Sequence, residues 1–413
     1  MSTHSCPLTK VLSVRDHPNA DRLSIVEVLG YQCITGKLED GSHRYKEGDY
    51  VVYIPEDSIL DEDLLCVMGF WNEEKKIGML SGSKGNRVKI IKLRGEISQG
   101  ILYGNVYKES NDVIKLTIPL GLNYYMSDGE DASNFLNITK REVIVPAQMR
   151  GQLSGNMRGY TRKYDIENIQ RYTDVFKDGE DVVILEKIHG TNVQIGILSG
   201  DKFNGKPQIE SLLDNGDIIK LGNRDVYVYV TSKGLGSRGV VQLNVPNNHD
   251  NIYVKTLNEL FIDTGIIDRM LGDGDQTDIM IYIFGEIYGA GIQDLSYGEQ
   301  SPQVRVFDVL YNNIDSTGST ESFSSWFELE EMKEEFGMPI VDALYKGPYS
   351  KEVAIEHRDG KTVTGNGTCI REGVVIRPLF KERNDVRGLP GNRAQLKFVS
   401  PDYLLRKNAT EYY

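Results

Sequence analysis

Lys187 lies at the end of a short apolar run, Val182 to Leu185, that reads as a buried strand, and Ile188, His189 and Gly190 follow it as a turn. A cation at the end of a buried strand is costly unless it is paired or reactive. Lys187 is therefore either a satisfied structural residue or a nucleophile. Two acids, Glu286 and Glu372, each stand at the edge of an apolar run beside a glycine. Carboxylates in such places can hold waters around Mg²⁺, which keeps most of its hydration shell and takes few protein ligands. The plain alternative is a pair of strand-edge acids matched to nearby arginines. Phe307 alternates with Val306 and Asp308, which puts Arg305, Phe307 and Val309 on one strand face. A flat ring there either packs in the core or stacks on a planar ligand.

A lone Lys-x-His-Gly carries little weight, and its partners supply the rest. Glu186 to Asn192, Thr231 to Gly236, Phe284 to Gly289, Val304 to Asp308, Arg371 to Arg377 and Gln395 to Lys397 follow one another in that order. This series resembles the motifs of the covalent nucleotidyltransferase superfamily, and within it the ATP-dependent RNA ligases that carry an N-terminal OB domain. The resemblance implies that Lys187 becomes adenylylated by ATP, that Lys397 contacts the α-phosphate, and that His189 serves the nucleic-acid steps. It also implies nucleotide contacts from Glu186 (the adenine edge), Ile188, Asn192 and Lys233, with Arg224 and Arg238 as rivals for the place of Lys233. By the same resemblance Phe307 stacks on adenine, and Glu286 and Glu372 place the ribose and a Mg²⁺ or Mn²⁺ ion.

The chemistry asks for these residue types. An amine that attacks a phosphate must be neutral, and a free lysine at pH 7 is neutral in only about one molecule in a few thousand. Desolvation and a nearby cation both lower its pKa, and Lys397 and a metal are the candidates for that cation. The last motif departs from the pattern: where relatives often carry two lysines one residue apart, Gln395 takes the first place. Lys397 is then the one lysine left for the α-phosphate, with Arg393 as a candidate to compensate.

The elements that must position these residues fall into three stretches. Residues 1–110 show five short apolar or alternating runs separated by turns, which predicts a small β domain. His17 to Leu23 and Lys92 to Gly100 resemble segments of OB-fold modules. Arg87, Lys89, Lys92 and Arg94 are its candidate phosphate contacts. Residues 111–150 lack a sustained period and read as a connector. Residues 151–413 read as α+β, with strands at Val182 to Glu186, Ile279 to Phe284, Val304 to Leu310, Gly373 to Ile376 and Gln395 to Val399. Helices are expected at Thr256 to Leu271 and Ser325 to Phe336, the second opened by a Ser325/Glu328 capping box and stopped by Gly337. The expected fold class is α+β: an N-terminal OB-like β-barrel, then an adenylyltransferase (ATP-grasp-like ligase) domain of antiparallel sheets flanked by helices.

The chain of 413 residues has a net charge of −13, which argues against a generic nucleic-acid coat while leaving room for local binding. Basic residues also gather at Arg158, Arg162 and Lys163, and at Arg393, Lys397, Arg406 and Lys407. No apolar run is long enough for a membrane helix. Cys6, Cys33, Cys66 and Cys369 show no metal spacing, so a reduced cytoplasmic protein is expected, a host cytoplasm if the chain is viral. The expected activity is the joining of RNA 3′-OH and 5′-phosphate ends, with RNA or an RNA-containing nicked duplex as partner, no membrane, and a monomer. DNA ligases and mRNA-capping guanylyltransferases share the lysine chemistry, but both usually continue into an OB domain after the last motif, and only 16 residues follow Lys397. A non-catalytic OB-type RNA-binding protein is the alternative from another class.

Overall fold

The apolar run before Lys187 forms the middle of a strand, Asp181–Lys187, in which Val182, Val183, Ile184 and Leu185 are almost wholly buried. A strand covered on both faces needs apolar residues without alternation, and this run supplies them. The computed structural model describes residues 4–110, 113–141, 149–272, 278–316 and 318–406. The chain divides into two units, Met1–Glu142 with Gln170–Thr173, and Val143–Ile169 with Asp174–Tyr413.

The second unit holds two sheets. In the five-stranded sheet, Asp181–Lys187 lies between Ala343–Pro348 and Gly373–Pro378, and Leu396–Val399 and Glu167–Asn168 complete it. All its pairs are antiparallel except Glu167–Asn168 with Leu396–Val399. The larger sheet has eight strands and is built around Thr191–Ser199, which pairs with Val226–Ser232 on one side and Ile279–Tyr288 on the other. Gln303–Asp315 follows Ile279–Tyr288 as the next strand. Val183, Leu185 and Val375 of the smaller sheet share one buried cluster with Val193, Ile195, Ile281 and Ile283 of the larger one. The turn after Lys187 thus leads directly from one sheet into the other.

Two expectations in this unit need correction. The helix expected over Thr256 to Leu271 is broken into Ile252–Leu257, a wider π turn at Asn258–Ile262, and Ile266–Leu271. Gly265, in the left-handed conformation with φ 71°, separates the last two pieces. The shared face of Arg305, Phe307 and Val309 is also lost. The pairing slips at Phe284/Gly285, which sit opposite Asp308 and Val306 and leave Phe307 as an extra residue. A bulge of this kind reverses the alternation, so Val309 joins Val304 and Val306 in the core while Phe307 stays half-buried. The capped helix Trp326–Phe336 forms with both halves of the Ser325/Glu328 box, and Gly337 ends it at φ 72°.

The first unit consists of short antiparallel strands. Leu8–Lys10, Tyr50–Ile54 and Ile101–Tyr103 form one sheet, and Ser13–Asp16, Leu23–Val28 and Tyr31–Gly36 another. The expected connector, 111–150, is different from the sequence reading where it is described. Ile114–Thr117 pairs with Asn123–Met126 on one side and with Val106–Lys108 on the other, and Ile114, Leu116, Met126, Leu136 and Ile138 are buried in this unit's core. Part of that connector, 142–148, lies outside the described residues, as does Lys407. No helix among the described residues is long and apolar enough to cross a membrane.

Candidate active site

Strand register aligns the two lysines. Leu185 pairs with Val375, and Val375 pairs with Lys397. Side chains two residues apart on a strand share a face, and so do direct cross-strand partners. Lys187 and Lys397 therefore project from the same face of the five-stranded sheet. Lys187 itself pairs with Gly373, which places Glu372 beside it. Lys187 Nζ lies 2.5 Å from Glu372 Oε1, and both side chains are mostly shielded from water. Gly373 is required by the close approach of the next strand: it has φ 151°, and a Cβ there would stand 2.3 Å from the Phe398 carbonyl oxygen.

Glu286 enters from the larger sheet, where Asn192 and Arg305 are its cross-strand partners. Desolvation pushes its carboxyl up to about 8; Lys187 and Lys233 pull it down, while Glu372 adds to the rise. The lysine turn packs closely on this strand, because a Cβ on Gly190 would stand 2.0 Å from the Ile287 carbonyl oxygen. Lys233 begins the short helix Lys233–Gly236. Burial and the Lys397 charge bring its pKa down to about 7, with Glu286 opposing. Asp165, whose Oδ1 is 2.6 Å from Lys233 Nζ, also favours the charged form. Lys187, Glu372, Glu286, Lys233 and Lys397 are thus electrostatically joined in one place. Arg224 is engaged elsewhere, with Asp268 and the Gly272 carbonyl, and Arg238 donates to the Gly234 carbonyl. Lys233 is the basic residue of this segment that belongs to the site.

The residue set fits a divalent cation. Glu372 Oε2 and Asn192 Oδ1 are buried with no hydrogen-bond partner among the described residues, and burial, with the Glu372 charge beside it, pushes the Glu286 carboxyl up, an unfavourable crowding of acids that a cation would relieve. No cluster of three or more His, Cys, Asp or Glu side chains suited to a metal occurs among the described residues. Two carboxylates suit an ion that keeps most of its waters.

The remaining expected residues are placed as follows. Glu186 points away from the lysine face. Its Oε2 accepts bonds from the Val363 and Thr364 amides, both at 3.0 Å, and from Thr364 Oγ1 at 3.1 Å. Its Oε1 has no hydrogen-bond partner among the described residues and lies 4.0 Å from Arg371 Nε. Ile188 is buried in the main core, so its side chain holds the turn rather than facing a ligand. Phe307 is half-buried, with its ring centroid 5.3 Å from that of Tyr164. Arg393 does not stand in for the missing lysine. Its guanidinium is buried against Asp308 Oδ2 at 2.6 Å and Glu382 Oε2 at 2.6 Å. Gln395 is buried beside them, its Oε1 3.1 Å from the Tyr164 hydroxyl.

His189 is 5% exposed, and both its ring nitrogens are engaged. Nδ1 faces the Tyr403 hydroxyl at 2.8 Å, and Nε2 faces Asp294 Oδ1 at 2.9 Å. Sequence reasoning missed Asp165, Asp294, Tyr297 and Tyr403. Asp165 follows Lys163 in an aperiodic stretch, and nothing in its neighbours marks it. The clustering of basic residues toward the end of the chain did single out Arg406, which pairs with Asp294 at 2.8 Å.

In the first unit, the two OB-like segments meet. His17 Nε2 lies 3.0 Å from the Leu93 carbonyl, and Asn19 Nδ2 donates to the Arg94 carbonyl at 2.9 Å. They brace a hairpin of Ile91–Leu93 and Glu96–Ser98 whose tip carries Arg94 in a left-handed turn, φ 49°. Lys89, Lys92 and Arg94 are exposed. Arg87 is a correction: it is committed to Asp57, with Nε 2.8 Å from Oδ1.

These arrangements accord with comparisons to known proteins. Solved structures of an RNA ligase from Naegleria gruberi match with 18% identity over 97% of this chain. The form with pyrophosphate gives a TM-score of 0.65 with 98% of that chain covered. A lysine-to-alanine variant with ATP and manganese gives 0.63, and a glutamate-to-alanine variant with AMP and manganese gives 0.64, each with 98% of that chain covered. At this identity the likeness is one of fold. No curated protein matches the sequence significantly. An OB-fold domain model matches residues 6–104. The RNA ligase model matches residues 180–397, from the strand that carries Lys187 to Lys397 itself, more than half of the sequence, and the chain belongs to the RNA ligase family.

Proposed function

We propose that this RNA ligase uses ATP to join a 3′-OH to a 5′-phosphate through lysyl-AMP and RNA-adenylate. The observation that carries the reading is the Lys187–Glu372 contact of 2.5 Å on the face that also presents Lys397. In the first step Lys187 Nζ attacks the α-phosphorus of ATP, a P–N bond forms, and the P–O bond to pyrophosphate breaks. Glu372 is the carboxylate placed to take the proton that Nζ sheds. In the second step the AMP moves to the RNA 5′-phosphate and Lys187 is released. In the third, a 3′-OH attacks that phosphate and AMP leaves. Lys397 and Lys233 lie where their charge can stabilise the phosphoryl oxygens.

Glu286 and Glu372, with Asn192 beside them, would hold Mg²⁺ or Mn²⁺, which when bound supplies charge to the reacting phosphate. Phe307 offers an aromatic surface for the base. Glu186 anchors the turn at Val363 and Thr364, and its Oε1, which faces Arg371 without a hydrogen bond, is the acceptor left for an adenine amino group. Exposed Lys89, Lys92 and Arg94 provide phosphate contacts for the RNA strand. The preferred substrate in this reading is a nicked duplex with RNA on the 3′-OH side, sealed by a monomer in a reduced cytoplasmic compartment.

Incubation with α-³²P-ATP and a divalent metal, followed by a denaturing gel, tests the reading. A labelled band in wild type that is absent in Lys187→Ala is expected. No label with ATP, or equal label in the variant, overturns it, and label with GTP alone assigns capping chemistry instead. Nicked duplexes with RNA or DNA 3′ ends then report the substrate.

A further inference from the structure

The chain beyond Lys397 forms a brace across the site. Leu396–Val399 pairs with the strand that begins at Gly373, and the Ser400 amide donates to the Glu372 carbonyl at 2.9 Å. The next turn, Pro401–Leu404, brings the Tyr403 hydroxyl to His189 Nδ1, two residues after Lys187. Arg406 lies over the Tyr403 ring, 3.6 Å from its centroid, and donates to the Tyr403 carbonyl at 2.9 Å. It also grips Asp294 with two contacts, Nε to Oδ2 at 2.8 Å and Nη2 to Oδ1 at 3.1 Å. Asp294 in turn takes His189 Nε2.

The donors and acceptors set the histidine tautomer. A carboxylate only accepts, so His189 Nε2 carries the proton toward Asp294, and Nδ1 accepts from the Tyr403 hydroxyl. The Arg406 Nη2 atom 3.3 Å from Nε2 is then a close neighbour that holds Asp294 rather than a donor to the ring. The loop carrying Asp294 adds two more grips on the same turn. The His189 amide donates to the Tyr297 hydroxyl at 2.7 Å, and Gln293 Nε2 donates to the Gly190 carbonyl at 3.0 Å.

We propose that Tyr403 and Arg406 are positioning residues for the transfer to Lys187: acting through His189 and Asp294, they hold the lysine turn in register with Glu372. One end of the brace is bonded to the backbone of Glu372, and the other to the residue two places after Lys187. A single short segment therefore ties the turn after the nucleophile to the strand of the carboxylate, and so steadies the pair that the Lys187–Gly373 strand pairing sets side by side. Misplacement of reacting groups by about 1 Å costs on the order of 100-fold in rate, so a side chain outside the reacting set can control the step. This proposal rests on the ligase reading.

Single-turnover labelling of the full chain with α-³²P-ATP tests it, using Tyr403→Phe, Arg406→Lys, His189→Ala and the double variant His189→Ala/Tyr403→Phe. The rate constant for lysyl-AMP formation is expected to fall roughly 10- to 100-fold in Tyr403→Phe and Arg406→Lys, while the ATP concentration giving half the maximal rate stays within about twofold. The double variant is expected to be no slower than His189→Ala alone. A purely structural role would lower the labelled fraction and leave the rate constant unchanged, and that result overturns the proposal. So do rate constants within about twofold of wild type, or penalties that multiply in the double variant. Absence of label in wild type would instead remove the ligase reading itself.

Discussion

Lys187 Nζ and Glu372 Oε1 are 2.5 Å apart because the strand pairing sets Lys187 opposite Gly373, the residue directly after Glu372. The nucleophile and its carboxylate are thus fixed by backbone hydrogen bonds of one sheet, not by a mobile loop. Pre-positioning of this kind removes most of the entropy cost of bringing the groups together.

Glu372→Gln keeps the shape of this pair and removes its charge. A charge-assisted hydrogen bond contributes about 1.5–3 kcal/mol. Lysyl-AMP formation is therefore expected to slow roughly 10- to 100-fold. Single-turnover labelling of Glu372→Gln beside wild type measures this. A rate equal to wild type would show that the proton leaves Lys187 by another route.

Glu286 gives a stability signature with a definite sign. In the folded protein it keeps its proton to about pH 8, against 4.5 for an ordinary glutamate. Between those values the unfolded chain has lost a proton that the native chain retains, so stability falls as pH rises through this window. Glu286→Gln removes the dependence. In melts without divalent metal, the variant should gain Tm over wild type as pH increases from about 5, levelling off above about 8, by several degrees in all. Mg²⁺ or Mn²⁺ should narrow the gap by binding the ionised wild-type carboxylate. A gap that stays constant with pH would mean that Glu286 is already ionised in the native state.

The reach of the sequence can be judged from the same residues. Lys187 and Glu372 were legible because one ends and the other precedes an apolar strand, and strand ends are where a sheet delivers side chains to a site; Glu286 was read at the edge of a run that in fact continues to Tyr288, and Lys397, inside Leu396–Val399, was found through the motif resemblance. Their approach to one another was legible only through resemblance, since register is not written in any single segment. The Phe307 bulge could not be read, because one extra residue reverses a face without changing composition. Asp165 and Tyr403 carry no local signal: each matters through a partner dozens to hundreds of residues away. The strands of 114–126 were missed for a different reason. They are short and half exposed, so their alternation falls below what a window of residues reveals.

The basic residues of the OB-fold unit should separate by assay. Lys92 and Arg94 stand exposed at a hairpin braced by His17 and Asn19, whereas Arg87 neutralises Asp57. Lys92→Ala and Arg94→Ala should each reduce the slope of log affinity against log salt for RNA by about 0.7, with little change in melting. Arg87→Ala should leave the slope alone and lower stability by about 1–3 kcal/mol, because it strands the Asp57 charge. Binding titrations at several salt concentrations, with denaturant unfolding of each variant, check both. An Arg87→Ala protein of normal stability and reduced slope would return Arg87 to the RNA-binding surface.

Gln395 takes the place where the motif resemblance implies a lysine, and its surroundings give a physical reason. The Tyr164 hydroxyl lies 3.1 Å from Gln395 Oε1 and 2.7 Å from Asp308 Oδ2. Asp308 and Glu382 already face two buried guanidinium groups, Arg377 and Arg393. Two acids against two bases leave no charge for a third cation to meet. Gln395→Lys is therefore expected to destabilise the fold by about 2–4 kcal/mol, the scale of an uncompensated buried charge, and to give no faster lysyl-AMP formation. Combining it with Arg393→Gln exchanges one cation for another and should recover part of the loss, read as a coupling in a double-mutant cycle of unfolding free energies. A Gln395→Lys enzyme at least as stable as wild type, and faster, would show instead that the pocket accepts a lysine and that the glutamine is a loss of function rather than a consequence of the Arg377–Arg393 cluster.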